Sequence, residues 1–165
     1  MTVRTAVAAV TGLVMAIGLS ACGGKTLETK TLNFNEKDTN NFGFADNPPK
    51  ATIGQQGPDR MTPGDTLAFS SDLTDTSGKT VGALDATCVD TRPGRFDQAN
   101  VTCHGTATLP KGQLFLSVGG KGAIGNNTTG AVTGGTGDYA GATGSFTSKN
   151  GKITKDTFKL FIPKK

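Results

Sequence analysis

The stretch Gly64-Asp65-Thr66-Leu67-Ala68-Phe69-Ser70-Ser71-Asp72-Leu73 alternates mainly apolar with mainly polar side chains, residue by residue. Successive side chains of a β-strand point to opposite sides, so four of these share one face: Leu67, Phe69, Ser71 and Leu73. A segment with one apolar and one polar face is typical of a strand that covers a core on one side only. The stretch therefore predicts a half-buried β-strand over residues 66–74.

The same pattern recurs on both sides of this strand, in short runs that Gly, Pro, Asn and Asp separate. Asn150-Gly151 is the strongest turn signal, because a type I′ turn requires positive φ at both central residues. Asp46–Arg60 is the longest irregular stretch and predicts a loop or lid. Besides residues 66–74, the predicted strands are Leu27–Asn35, Thr80–Asp90, Asn100–Thr108, Gln113–Gly119, Gly122–Asn126, Thr129–Thr133, Gly141–Lys149 and Lys152–Phe161.

The composition narrows the class of protein further. The 165 residues include 24 Gly, one His and three Cys, and the net charge is +4. So much Gly argues against a helix bundle. A single His leaves few ligands for a zinc site and no spare base for triad chemistry, so we expect no metal and no cofactor. No basic cluster with interleaved aromatic residues is present, so we expect no nucleic-acid partner.

The first 21 residues have the pattern of an export signal. They start with one basic residue, Arg4, and continue with an apolar run that ends at Leu19. Ser20 and Ala21 then precede Cys22, which resembles the cleavage and lipidation site of bacterial lipoproteins. The alternatives are an ordinary signal peptide with a chance Cys, or an uncleaved anchor.

This interpretation predicts three segments and a location. Residues 1–21 form the signal peptide, 22–27 the lipidated Cys and a short tether, and 28–165 one all-β barrel domain. The protein is then exported and held at the outer face of the bacterial cell membrane by acyl chains on Cys22.

Lipidation of Cys22 would leave an even pair of cysteines, Cys88 and Cys103. Disulfides persist in exported proteins, and the turn signal Thr91–Arg95 between the two residues favours a hairpin that brings them together. We therefore predict a Cys88–Cys103 disulfide. The alternative is two free buried thiols.

A family resemblance is carried by the run Ala131–Gly144, an apolar strand followed by Gly-Gly-Thr-Gly, an aromatic residue and small residues. It resembles the signature of allene oxide cyclases and dirigent proteins. The blocks Gly64–Leu73, Gly82–Val89 and Leu116–Gly120 follow the same family in order and spacing, so the resemblance spans about residues 31–162. It implies an all-β fold, an eight-stranded antiparallel β-barrel around an apolar cavity, often assembled as a homotrimer.

The resemblance also suggests cavity residues. The cavity-facing Glu and Asn of the first strand in plant cyclases correspond to Asn33 and Asn35 here, so the charged group is replaced by an amide. A further family Asn corresponds to Ser71, and the cavity Cys to Cys88. The candidate ligand-binding residues are Asn33, Asn35, Leu67, Phe69, Ser71 and Phe158, and the catalytic residues are unknown. In the alternative orientation Asn33 and Asn35 face solvent, and Leu32 and Phe34 fill the core.

Two functions are favoured at this point, and a structural envelope protein with an interior filled by side chains stays open beside them. The first is a membrane-tethered module that binds a small hydrophobic molecule in the barrel. The second is an isomerase or cyclase that holds an apolar substrate in one conformation and guides ring closure. Loss of the family's charged group favours the binding module.

Overall fold

The structure, a computed structural model, describes residues 26–47, 60–95, 97–121 and 127–164. It is all-β, a closed barrel of eight antiparallel strands in which each strand pairs with its neighbours in sequence and β8 pairs with β1. A single 3₁₀ turn, Gly137–Tyr139, follows β6. The strands are β1 (Leu27–Ala45), β2 (Thr66–Thr74), β3 (Thr80–Arg92), β4 (Asn100–Leu109), β5 (Gly112–Lys121), β6 (Thr128–Gly135), β7 (Thr143–Lys149) and β8 (Thr154–Pro163).

The predicted eight-stranded barrel is confirmed, and β2 has the predicted bounds. Two predictions need correction. β1 continues ten residues beyond Asn35, because its second half pairs with β2 after a bulge between Asp38 and Asn41. The connection between β7 and β8 spans residues 150–153, so it is longer than the predicted two-residue turn. The predicted strand at 122–126 and the segment 1–25 lie outside the described residues.

Inward-facing side chains form two clusters inside the barrel. The larger one fills the end where β8 finishes and includes Leu73, Leu114, Phe158 and Leu160, each fully buried. The smaller one lies towards the end where β2 begins, and its main members are Met61, Leu67, Cys88 and Val101. Burying a Leu or Phe side chain contributes about 1.5–3 kcal/mol, so these clusters hold the barrel closed.

Gly144 shows why the glycine-rich signature fits this barrel. It lies at the start of β7 with φ of 150°, and an added Cβ would clash with the backbone oxygen of Lys159 on β8. Only glycine lets two strands approach so closely at this position. The signature is therefore a packing requirement of the β7–β8 pair.

Cys88 and Cys103 form the predicted disulfide. They are direct partners across the β3–β4 ladder, and Cys88 is fully buried. The bond therefore ties two adjacent strands from inside the barrel. In the part of the chain that the structure describes, no helix is long and apolar enough to span a membrane.

Candidate ligand cavity

A cavity of about 840 Å³ occupies the barrel between the two clusters. It reaches the β7–β8 connection, where Asn150, Lys152 and Ile153 border it. Its inner wall is mainly apolar and includes Phe69, Leu84, Leu116, Val118, Phe146 and the Cys88–Cys103 disulfide. The barrel therefore encloses apolar space that side chains leave open.

Three of the six predicted ligand-binding residues line this cavity: Phe69 and Ser71 from β2, and Asn35 from β1. Leu67 and Phe158 are fully buried within the smaller and the larger cluster, respectively, beyond the cavity wall. They shape the interior without bordering the open space. Ligand contact at these residues stays a prediction.

Asn33 and Asn35 lie on the opposite side of β1 from the apolar interior. Asn33 is exposed, and its side-chain oxygen accepts a hydrogen bond from the Thr157 hydroxyl at 3.0 Å. Asn35 borders the cavity at its rim, where its backbone oxygen accepts a hydrogen bond from Thr74 at 3.1 Å. The reason is the pairing of β1, which sets Leu32 opposite Phe158 and so turns the odd-numbered side chains outwards.

This register brings a different set of β1 residues inside. Phe34 packs edge-on against Phe158 with 5.9 Å between ring centroids, and Phe146 lies 5.0 Å from Phe158 on the other side. Glu36, the next residue on the same face as Phe34, borders the cavity. The resemblance assigns the family's cavity carboxylate to position 33. In this barrel the β1 carboxylate that borders the cavity is Glu36, three residues later.

Asp156 on β8 is the most unusual polar group near the cavity. It is 1% exposed, and neither carboxyl oxygen has a hydrogen-bond partner among the described residues. Its ladder partners are Phe34 on β1 and Ser148 on β7, and Ser148 lines the cavity. Asp156 therefore lies on the inner face of the barrel, next to a cavity-lining residue, but it does not itself line the open space.

Burial raises the pKa of Asp156 to about 7, the nearby Glu36 adds to this, and the Ser148 hydroxyl acts in the opposite direction. An ionised carboxylate is costly to bury without a partner, whereas the protonated form is not. Both protonation states are therefore populated near neutral pH. The protonated carboxyl can donate a hydrogen bond. The ionised carboxylate can accept a proton or pair with a positive charge.

Alternation on β8 could have identified Asp156 from the sequence. Phe158, Leu160 and Ile162 share an apolar face, and Asp156 is the next residue on that face towards the start of the strand. A carboxyl in an inward series of apolar positions is a signal of function, because charged residues are rarely fully buried. Glu36 gives the same signal, because it follows Leu32 and Phe34 at the same spacing and precedes the bulge of β1.

Polar groups also occur away from the cavity. His104 lies on the outer face of β4, where it borders a surface groove of about 580 Å³. Among residues 26–47, 60–95, 97–121 and 127–164, no three His, Cys, Asp or Glu side chains are grouped to hold a metal ion. The cavity is therefore the site that the geometry favours.

Solved structures with the same architecture support this view of the barrel. A pyocyanin demethylase is 28% identical with a TM-score of 0.64, and the match covers 79% of this chain and 99% of the other. A pterocarpan synthase dirigent protein is 17% identical with a TM-score of 0.61, covering 86% and 94%. A Diels Alderase from Streptomyces koyangensis is 16% identical with a TM-score of 0.53, covering 87% and 72%.

No protein-family model and no curated protein matches the sequence. The structural neighbours include dirigent proteins and cyclases, in agreement with the four sequence blocks described above. At these identities the shared property is the architecture of the barrel. This chain therefore has the same barrel fold as the dirigent proteins and cyclases among these structures.

Proposed function

We propose that the barrel binds a small hydrophobic molecule in its internal cavity. The observation that carries this proposal is the cavity itself, about 840 Å³ of space with a mainly apolar wall. Ligand sites in proteins are commonly 300–1,000 Å³, mostly apolar, with a few polar groups that fix orientation. Ser71 and Ser148 are polar groups of this kind in the cavity wall, and the buried Asp156 is the ladder partner of Ser148.

The test is whether a small molecule co-purifies with the protein, and whether filling the cavity with a bulky side chain prevents this. The full chain is purified in detergent, and its extract is compared by untargeted mass spectrometry with that of Ala86→Trp. Ala86 lines the cavity from β3, so the indole occupies ligand space. We expect one compound at near-stoichiometric amount in the wild type and at least a tenfold loss in the variant.

Val89→Trp is the matched control, because Val89 lies on the same strand but is 41% exposed on the outside. It should retain the compound as the wild type does. Equal retention by both variants would show that the compound binds elsewhere, and no retained compound in the wild type would count against a binding module.

A second candidate function is an isomerase or cyclase reaction on an apolar substrate. Asp156 favours it, because a general acid or base works best when its pKa lies near the working pH, and burial holds this pKa at about 7. One of the structural neighbours is a nonspecific heme-binding cyclase that catalyses a [4 + 2] cycloaddition. Incubation of the recovered compound with fresh protein distinguishes the functions: conversion indicates the enzyme and unchanged retention the binding module.

We further propose that acylated Cys22 holds the barrel at the outer face of the bacterial membrane. The support is the sequence pattern around Ser20, Ala21 and Cys22. β1 begins at Leu27, so only a few residues would separate the lipid from the barrel. The homotrimer that the family resemblance implies stays a prediction.

Cys22→Ser is expected to abolish incorporation of a tagged fatty acid, because a hydroxyl cannot form the thioether that carries the lipid. The measurement is metabolic labelling followed by gel analysis of the full chain. Cys88 and Cys103 are joined in a disulfide and cannot substitute for it. Persistent labelling of the variant would exclude Cys22 as the attachment site.

A further inference from the structure

The outside of the barrel around β8 is positively charged. The segment from residue 149 to residue 164 includes five exposed lysines: Lys149, Lys152, Lys155, Lys159 and Lys164. Its single acidic residue, Asp156, is buried on the inner face of β8. None of the five lysines is paired with a carboxylate in the part of the chain that the structure describes.

The strands on either side of β8 add no acidic side chain to this outer surface. Where β1 pairs with β8, its outward-facing residues are Leu, Thr and Asn, and those of β7 are Thr, Ser and Lys. Glu28 belongs to the opposite face of β1, because it pairs with the buried Ile162. The outward-facing residues of 27–35, 143–149 and 155–163, here called the lysine face, therefore include no carboxylate.

Exposed apolar side chains lie at both ends of the lysine face. Ile153 is 55% exposed in the β7–β8 connection, and Leu27 and Phe161 are 54% and 46% exposed at the other end. Apolar side chains among lysines are typical of a surface that binds lipid, because the apolar groups enter the interface and the basic groups attract anionic headgroups. The pattern therefore favours an anionic phospholipid bilayer as the partner of this face.

Other partners fit the lysine face less well. Two copies of the chain joined through it would bring lysines close to lysines, and like charges repel. An anionic polysaccharide would attract the lysines, but it offers no apolar surface to Ile153 and Phe161. A lipid bilayer meets both the charged and the apolar side chains.

The expected tether leads to the same face. β1 begins at Leu27, five residues after Cys22, so acyl chains on Cys22 would hold this end of the face close to the bilayer. Ile153 lies just before the other end of β8, and a strand of ten residues spans about 33 Å. The lysine face can therefore lie along the bilayer from the tether to the β7–β8 connection.

We propose that the lysine face lies flat on an anionic phospholipid bilayer, with Ile153 and Phe161 in the interface and the lysines against the headgroups. The proposal rests on the anchoring through Cys22 proposed above and adds an orientation to it. Lys152 and Ile153 also border the cavity, so this orientation brings the cavity rim to the lipid surface. A hydrophobic molecule can then pass between bilayer and cavity without crossing water.

Single tryptophans can report contact with lipid, because the wild-type chain contains none. The full chain is purified in detergent and reconstituted into vesicles of phosphatidylglycerol and phosphatidylcholine, with or without bromine atoms on the phosphatidylcholine acyl chains. Bromine quenches indole fluorescence only at close range. We expect Ile153→Trp and Phe161→Trp each to lose at least half of their fluorescence in the brominated vesicles.

Phe115→Trp is the matched control, because it makes the same substitution at a side chain that is 38% exposed on β5, across the barrel from the β1–β8 pair. It should lose less than a tenth of its fluorescence. In vesicles of phosphatidylcholine alone, the quenching of Ile153→Trp and Phe161→Trp should fall at least threefold, since the lysines then have no anionic headgroups to bind.

Lys155→Gln combined with Lys159→Gln tests the lysines directly. In the Ile153→Trp protein, this double substitution should reduce quenching at least twofold. Lys111→Gln combined with Lys121→Gln is the control, because it removes the same charge from two exposed lysines just before and at the end of β5. It should leave the quenching unchanged.

Flotation of the vesicles in a density gradient separates this proposal from the anchoring on which it rests. Protein that floats but is quenched as strongly on β5 as on β8 would overturn the orientation and leave the anchor standing. Protein that does not float would count against both. Quenching of Ile153→Trp that survives both the loss of anionic lipid and the loss of the two lysines would overturn the lysine face as the docking surface.

Discussion

Phe158→Ala is expected to lower the free energy of unfolding by about 3–5 kcal/mol, the usual cost of removing a fully buried Phe ring. Phe158 is 0% exposed, and it contacts the rings of both Phe34 and Phe146. Removing the ring leaves a void between β1, β7 and β8 that the paired strands cannot close. Chemical denaturation followed by circular dichroism measures the change.

Phe161→Ala is the matched control, because it makes the same substitution three residues later on β8 at a side chain that is 46% exposed. We expect a change within about 0.5 kcal/mol, as is usual for surface positions. Similar losses in the two variants would mean that the β8 register differs from the one described. The opposite order would place Phe161 inside the barrel.

Loss of the Cys88–Cys103 disulfide is expected to cost about 3 kcal/mol. The bond closes a loop of 15 residues, and a closed loop of this size restricts the unfolded chain by about that amount. The double variant Cys88→Ala with Cys103→Ala is compared with the oxidised wild type by denaturation. Reduced wild-type protein controls for the smaller side chains, because it lacks the bond but keeps both sulfur atoms.

The variant and the reduced wild type should lose similar stability. If only the variant is destabilised, packing of the sulfur atoms accounts for the effect and the cross-link does not. Intact mass before and after alkylation establishes that the starting protein is oxidised. Alkylation of both residues without reductant would remove the basis of the prediction.

The sequence predicted those parts of the fold in which a local pattern of residues agrees with the way the strands pair in the barrel. β2 is an example: its alternation of Leu67, Phe69, Ser71 and Leu73 gives both its bounds and its inner face. The cysteine pair is another, since the turn signal between Cys88 and Cys103 predicts a hairpin that sets them side by side, as in the observed bond. In both cases the information lies within about 20 residues.

β1 shows why the rest could not be predicted. Its second half, residues 36–45, is mostly polar and includes a bulge, so its strand character depends on pairing with β2, far along the chain. The family comparison favoured Asn33 and Asn35 as cavity residues. Pairing with β8 directs Leu32 and Phe34 inwards, so Asn33 is exposed and Asn35 borders the cavity only at its rim. A shift of one residue exchanges the two faces of a strand, and only the partner strand fixes that choice.

The candidate site was predicted in part. Asn35, Phe69 and Ser71 line the cavity, but Asp156, the group near it with the most perturbed pKa, was not among the expected residues. Its position on the apolar face of β8 was readable from the sequence. Its unpartnered oxygens depend on what β1 and β7 place opposite it, and no local pattern contains that information.

The β1–β8 pair, the seam that closes the barrel, determines how the molecule responds to mechanical force. β1 begins beside the end of β8, where the Lys164 amide donates a hydrogen bond to the Thr26 backbone oxygen at 2.9 Å. Tension applied between these two residues pulls across the β1–β8 ladder at its Leu27–Pro163 end. The hydrogen bonds of an antiparallel pair lie across the strands, so this load opens the ladder progressively, pair by pair. Pulling instead between Leu27 and Thr154, at opposite ends of the ladder, shears many of its pairs at once, so the seam is mechanically weak in one direction and strong in the other.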